Sequence, residues 1–405
     1  MKLTTQNSSV VVSLVLFGAI SFGFLPKAGA GEELKPSPEW SKKMRELGKT
    51  LADLLTDVSS DKRFNDPTNK VRIEKNAKTL SALAHDLNKS GKISPDADPT
   101  IQILSGMFAD ESNRAYVELK RGNRAYARNV LKSVSGYCIA CHTRNSTGPQ
   151  FAQLSFEPTS SEMKTLEKGE FFAASRQFDR ADAEFKKVIE SGVSSLDQSL
   201  EWERAVRYSL AIAIRVKEDP ALALKLVDSA LNAKNIPFFI RQNAAEWRRS
   251  ILKWQAEPPH HETNEEGLHA EAVRLIAEAR NTQKYPVDRS GDIFYLRASA
   301  VIHSLLQLSP KGRYAADAYL LAGLCYEVLG PFNLFDLHDL YYEACIRQSP
   351  NTKASELCYE RYQESVVLGY TGSGGTSIPE ELQDKLKKLE TMAHPPADQI
   401  LKNIQ

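Results

Sequence analysis

The sequence lacks three features that would narrow its function at once: an excess of one charge, a late apolar run and β-strand patterns. Its 52 Lys and Arg balance 51 Asp and Glu, and a formal net charge of +1 gives no indication of a nucleic-acid or membrane partner. No segment after residue 30 is apolar enough to span a bilayer. Apolar residues instead recur every three or four positions, which predicts an all-α protein.

Cysteine is scarce, and two of the five cysteines lie close together. Cys138 and Cys141 enclose two residues, and His142 follows directly. This spacing is typical of covalent haem attachment, in which both thiols form thioethers and the imidazole takes one axial position on the iron. A dithiol redox pair would be expected in a βαβ context, and half of a zinc site would need a second close ligand pair. We predict one covalent haem c, with His142 as the proximal ligand.

The first thirty residues have a positive charge, an apolar run and a small-residue site in the order that is typical of a secretory signal. Lys2 precedes an apolar run over residues 10–25, and Ala28-Gly29-Ala30 forms a small-residue cleavage site. A retained anchor is the alternative, but the run is short and broken by glycine and serine. We therefore predict a signal peptide over 1–30 and export to a bacterial periplasm. The remaining chain, 405 minus 30 or about 375 residues, can form two or three domains.

Residues 31–155 are predicted to form a helical haem domain. Four helical stretches begin near Pro38, Asn69, Pro99 and Arg124, and short connections between them favour an antiparallel four-helix bundle. The haem motif lies in the last turns of the fourth stretch. The positions expected to face inward on the second helix are Val71, Ile73, Ala77, Leu80, Leu83 and Ala84.

A bundle that ends in CxxCH resembles the class II cytochromes c, the cytochrome c-prime and c556 group. The resemblance covers residues 36–145 and depends on the helix count, the domain length and the position of Cys138 to His142. It implies attachment of the haem outside the cytoplasm, and in the low-spin members a methionine of the first helix as sixth iron ligand. Met44 occupies the matching place and is the favoured candidate, while Met107 and His85 are weaker candidates. An ordinary core thioether at Met44 is the alternative, and it would leave an open iron.

The third and fourth predicted helices are basic and face few acids, chiefly Glu118. One interpretation is a solvated helical face. The other is that some of these residues neutralise haem propionates or steer an acidic redox partner. The residues are Arg114, Lys120, Arg121, Arg124, Arg128, Lys132 and Arg144.

Residues 156–370 are predicted to form paired helices that resemble tetratricopeptide repeats, an α-solenoid that docks a partner protein. In one repeat, small residues such as Gly169 let two helices approach, while Phe172 and Phe185 fill the space between them. His303 is expected to be a core histidine, because binding iron would require the repeats to fold onto the bundle. Residues 371–405 are predicted to form a flexible linker and a short helix.

Three cysteines lie outside the motif. Cys345 and Cys358 flank a turn at Ser349-Pro350-Asn351, and antiparallel helices about that turn would bring them within disulfide reach. Cys325 is then a free, buried thiol.

Together these features predict an exported monohaem electron-transfer protein with a repeat module for a redox partner. No nucleophile, base and oxyanion set is visible, so no enzymatic activity is predicted. Two alternatives remain: a five-coordinate gas-binding protein and a structural adaptor that the haem stabilises.

Overall fold

A computed structural model gives the positions of most residues after 37. The described residues belong to one compact unit. The predicted signal peptide and the predicted domain boundary near 155 lie outside them. The described ranges are 38–89, 98–146, 163–258, 262–285, 288–330 and 337–394.

The part of the chain before residue 147 is helical. Helices α1, α3, α4 and α5 pack against one another, and α6 packs on α4 and α7. Their shared core includes Leu54, Ile73 and Leu80, each at most 1% exposed. The helices are α1 (Pro38–Val58), α2 (Asp61–Asn65), α3 (Lys70–Lys89), α4 (Thr100–Lys120), α5 (Arg124–Ser133) and α6 (Ser135–His142), with a 3-10 turn at Pro67–Asn69.

Two local predictions in this region are wrong. Val71 was expected to face inward, but it is 77% exposed. It precedes Ile73 by two positions, which places it about 200° away around the helix from that buried side chain. The fourth helix was expected to be continuous, but it ends at Ser133 and α6 begins at Ser135. Ser133, Ser135 and Gly136 are weak helix formers, so little opposes a break there.

Eleven further helices follow in the described residues after 162. Neighbours along the chain pack in succession from α7 to α11 and again from α12 to α16, and α11 packs on α13. They are α7 (Thr165–Ala174), α8 (Phe178–Ser191), α9 (Leu196–Ala211), α10 (Pro220–Asn232), α11 (Phe238–Ala256), α12 (Glu265–Thr282), α13 (Asp292–Leu308), α14 (Ala315–Leu329), α15 (Leu337–Gln348), α16 (Lys353–Gly369) and α17 (Glu380–Ala393).

Regular structure other than α-helix is minor among these residues. A π-helical turn at Ile212–Val216 follows α9, and two short antiparallel strands, β1 (Thr371–Gly372) and β2 (Gly375–Thr376), form a hairpin. The prediction of an all-α chain is therefore confirmed for the described residues. None of their helices combines the length and the apolarity needed to cross a membrane.

Close contacts between helices occur at two glycines. A Cβ atom on Gly169 of α7 would overlap the ring of Phe185 on α8. A Cβ atom on Gly323 of α14 would likewise overlap the ring of Tyr342 on α15. The absence of a side chain at each glycine thus lets an aromatic ring lie directly against the facing helix.

The three cysteines outside the CxxCH motif differ in whether they form a disulfide. Cys345 and Cys358 are joined by a disulfide that connects α15 to α16 across the turn at Pro350. Cys325 on α14 is a free thiol and fully buried.

Candidate haem-binding site

The CxxCH motif occupies the last two turns of α6. Cys138, Cys141 and His142 are spaced three and four positions apart, so they share one face of the helix. All three are half-buried, whereas the intervening Ile139 and Ala140 are buried in the core. The helix ends where the Thr143 hydroxyl donates to the Ile139 carbonyl at 2.8 Å. The fold therefore turns two thiols and one imidazole towards the same space.

That space is a pocket between α1, α4, α6 and α7. It encloses about 810 Å³ of empty volume, part of which is open to solvent. Pockets that bind small molecules and cofactors are mostly apolar. The lining residues are Trp40, Met44, Leu47, Gly48, Leu51, Leu87, Ile101, Leu104, Ser105, Phe108, Tyr137, Cys138, Cys141, His142, Phe171, Ala174 and Ser175.

Met44 is the methionine among these lining residues. It is half-buried on α1 and packs against the core. It lines the same pocket as His142. Met107 packs against the core but is not part of the lining, and His85 is exposed on α3. Of the three candidate sixth ligands, the structure brings Met44 to the pocket.

The imidazole of His142 is held by a helix from the other side of the predicted domain boundary. Its Nδ1 atom lies 2.7 Å from the carbonyl oxygen of Ala174, the last residue of α7. Because only a protonated nitrogen can donate to a carbonyl, Nδ1 carries the hydrogen and Nε2 the lone pair. Burial, with the cation of Arg176 nearby, lowers the pKa of His142 to about 3. The ring is therefore neutral, as a metal ligand must be.

Burial affects the pKa of both thiols of the motif. Burial raises the pKa of Cys138 to about 12, and burial also raises the pKa of Cys141. Dithiol oxidoreductases instead hold one thiol at a lowered pKa. In the described ranges, no three or more His, Cys, Asp or Glu side chains cluster as a metal site. A haem brings four nitrogen ligands of its own, so a CxxCH site needs no such cluster.

The expectation that the basic residues of α4 to α6 face few acids is wrong. Four of the six acidic partners lie elsewhere in the chain, while Glu111 and Glu118 each lie three positions before their partner. Arg124 donates to the Phe64 carbonyl and lies over the Phe64 ring. The ion pairs are Arg114–Glu111, Lys120–Glu74, Arg121–Glu118, Arg128–Asp61, Lys132–Glu167 and Arg144–Asp98.

A buried polar network begins two residues after His142. The Arg144 guanidinium contacts Asp98 at 2.5 Å, and the same carboxylate lies 2.8 Å from Nδ1 of His303 on α13. The other ring nitrogen of His303 lies 3.0 Å from the Tyr326 hydroxyl, which also accepts from Arg215 at 3.1 Å. His303 therefore has partners at both nitrogens, as expected for a core histidine. The network joins the haem motif to α13 and α14.

The charges in this network shift its pKa values. Burial acts to raise the pKa of Asp98, but Arg144 and then His303 outweigh it and lower the pKa to about 2. Burial lowers the pKa of His303, against the opposing effect of Asp98. The stable pair at neutral pH is thus the Asp98 carboxylate with the Arg144 cation, and a neutral His303.

Several residues of the site carry no signal in the sequence. Ala174 acts through its backbone carbonyl, which every residue possesses. Arg176 donates from Nη1 to the His142 carbonyl at 3.0 Å and is 5% exposed, yet its sequence context resembles any helix end. Asp98 lies just before α4 and its carboxylate accepts from the Thr100 amide at 2.8 Å, a local contact that does not reveal its pairing with Arg144 and His303.

Comparison of the chain with protein-family models, with curated proteins and with solved structures finds no match. The functional argument therefore depends on the motif, the pocket and the contacts around them.

Proposed function

We propose that this chain is an exported, periplasmic c-type cytochrome that carries one covalent haem and transfers electrons. A single observation carries the proposal. Cys138, Cys141 and His142 share the face of one helix that lines an apolar pocket, and Met44 lies on the wall of the same pocket. Thiols at this spacing, followed by histidine, are typical of covalent haem attachment.

The residues present fit such a group. Two thiols could form the thioether bonds, His142 would be the proximal iron ligand, and Met44 is the candidate for the sixth position. A haem held here would supply a one-electron couple whose potential depends on axial ligands, hydrogen bonds and burial. The apolar walls exclude water, and the hydrogen bond from His142 to Ala174 keeps Nε2 as the ligating nitrogen.

The finer architecture belongs to the same proposal. Helices α1, α3 and α4 with α5 and α6 would be the four-helix bundle of a class II-like cytochrome. The later helices would be a tetratricopeptide-like solenoid that docks a redox partner protein, which could be acidic. The contacts of Gly169 with Phe185 and of Gly323 with Tyr342 support it, since small residues facing aromatics are typical of such repeats.

Covalent haem is the first test of the function. We expect the chain, produced with its signal in a bacterium that matures c-type cytochromes, to keep haem on a denaturing gel. The Cys138→Ser/Cys141→Ser variant should lose this haem, because no thioether can form. Cys325→Ser is the matched control and should keep it, since that thiol lies on α14, outside the pocket. A wild-type chain without haem would refute the proposal.

A further inference from the structure

Two reciprocal hydrogen bonds join the end of α6 to the end of α7. The side chain of His142 contacts the backbone carbonyl of Ala174 at 2.7 Å, and the side chain of Arg176 donates to the backbone carbonyl of His142 at 3.0 Å. His142 and Ala174 are the last residues of their helices. Each helix end thus offers a carbonyl to a side chain from the other.

The Ala174 carbonyl is well suited to accept this hydrogen bond. The last carbonyls of a helix have no amide partner within the helix, and the negative end of the helix dipole lies there. A donor at this position is therefore favoured, and it fixes the orientation of the imidazole. A hydrogen bond from the second ring nitrogen also makes the imidazole a more basic ligand for a metal.

Arg176 is held in place by more than this bond. Its backbone has a φ of 58°, an uncommon value for a residue other than glycine, and its guanidinium lies 5.2 Å from the centre of the Phe178 ring. This arrangement directs a planar cation from the turn after α7 onto the last residue of the haem motif. Because the guanidinium is buried, little water competes for the His142 carbonyl.

We propose that the Ala174 carbonyl and the Arg176 side chain are positioning groups for the axial ligand His142, so that α7 tunes the reduction potential of the haem. The inference rests on the proposed function, since it requires iron bound to His142. It adds that the haem site is not complete within residues 31–155. The first helix of the region predicted as repeats supplies both the hydrogen-bond acceptor of the imidazole and the anchor of its backbone.

Arg176→Lys tests the inference in the full-length haem protein. Lysine keeps the positive charge but lacks the planar guanidinium group. The electrostatic field at the iron therefore changes little, while the hydrogen bond to the His142 carbonyl weakens. We expect the Nδ1 proton of His142 to exchange faster by NMR, because the imidazole is then held less firmly against the Ala174 carbonyl. A tenfold loss of preference for ferric iron raises the potential by about 59 mV. Arg180→Lys, whose guanidinium lies 4.0 Å from the Phe172 ring centre, is the control and should match wild type.

A second pair of variants covers the case in which Arg176→Lys does not fold. Gly169→Ala pushes α7 away from Phe185 and should raise the potential, whereas Gly323→Ala strains α14 against Tyr342, outside the pocket, and should not. Equal reduction potentials in Gly169→Ala and Gly323→Ala would overturn the inference. So would a haem-loaded Arg176→Lys variant whose reduction potential and Nδ1 proton exchange match those of the wild type. A wild-type chain that carries no covalent haem would refute the proposed function itself, and the inference with it.

Discussion

Met44 and His142 are separated along the chain but line one pocket, from α1 and α6. At the scale of single residues, the chemistry of the proposed haem site depends on whether the Met44 sulfur would bind the iron. A six-coordinate iron with a thioether ligand moves electrons with little rearrangement, while an open position admits small gases.

We expect Met44→Leu to convert a low-spin ferric spectrum to a high-spin one. The variant should lose the methionine charge-transfer band, because leucine fills a similar volume but has no sulfur. Met107→Leu is the control, since that residue packs against the core without lining the pocket, and its spectrum should stay that of wild type. Rapid carbon monoxide binding by the wild-type protein would instead favour the gas-binding alternative.

The sequence permits predictions about individual residues where the side chain itself carries the chemistry. The spacing of Cys138, Cys141 and His142 indicates a haem because thiols and imidazole have few other uses in that pattern. The same sequence cannot show that the Ala174 carbonyl would accept a hydrogen bond from His142, because every residue has a backbone carbonyl. The inward prediction for Val71 failed because apolar character alone does not fix a helix face.

At the scale of elements, α15 and α16 form a helical hairpin that a disulfide closes. Cys345 and Cys358 are 13 positions apart, and both side chains are fully buried. In the chain-entropy account, a cross-link of this length restricts the unfolded state and stabilises the folded one by about 3 kcal/mol.

We expect Cys345→Ala/Cys358→Ala to lower the free energy of unfolding in urea by about 2–4 kcal/mol. Treatment with a thiol reductant should destabilise the wild-type protein and leave this variant unaffected. Cys325→Ala is the matched control, because it removes a buried thiol without a cross-link and should still respond to reductant. Equal stabilities of wild type and the double variant would contradict the expectation.

The presence of a helix can be predicted from the periodicity of its apolar residues, while the position of its ends depends on the helix propensity of a few local residues. The regular return of Ile73, Ala77, Leu80 and Ala84 predicts α3 because only one face needs to be buried. The break at Val134 between α5 and α6 is harder to predict, since serine and glycine weaken a helix without determining where it stops.

At the scale of the whole molecule, the haem motif and the later helices share a buried polar network. Arg144 pairs with Asp98, and Asp98 contacts His303 on α13, far along the chain. The sequence could not predict the contact of Asp98 with His303, because residues 205 positions apart approach only when the complete chain folds. The folded state should therefore respond as one unit to protonation of this network.

We expect the contribution of His303 to the free energy of unfolding to fall as the pH falls below about 6.5. His303 is neutral in the folded state because burial lowers its pKa, so the unfolded chain binds a proton that the folded chain does not. Each pH unit below 6.5 should then cost up to about 1.4 kcal/mol until the folded state also titrates. Asp98 acts in the same direction at lower pH, between its ordinary pKa of 3.8 and about 2.

Urea unfolding at pH 7.5, 6.5 and 5.5 measures this slope. His303→Gln should reduce the loss of stability per pH unit relative to wild type, because glutamine does not titrate while His142, Glu170 and Asp292 are unchanged. A slope in His303→Gln equal to that of the wild type would assign the effect to other groups.

The placement of α7 on the pocket has a consequence for biosynthesis. Cys138 and Cys141 precede α7 along the chain, so a chain emerging N-terminus first presents both thiols before the helix that completes their surroundings. In the finished fold these thiols are half-buried and lie against apolar walls. Under the proposed function, haem attachment should therefore be fastest on the incompletely folded chain, and early docking of α7 would compete with the attachment machinery for access to the motif.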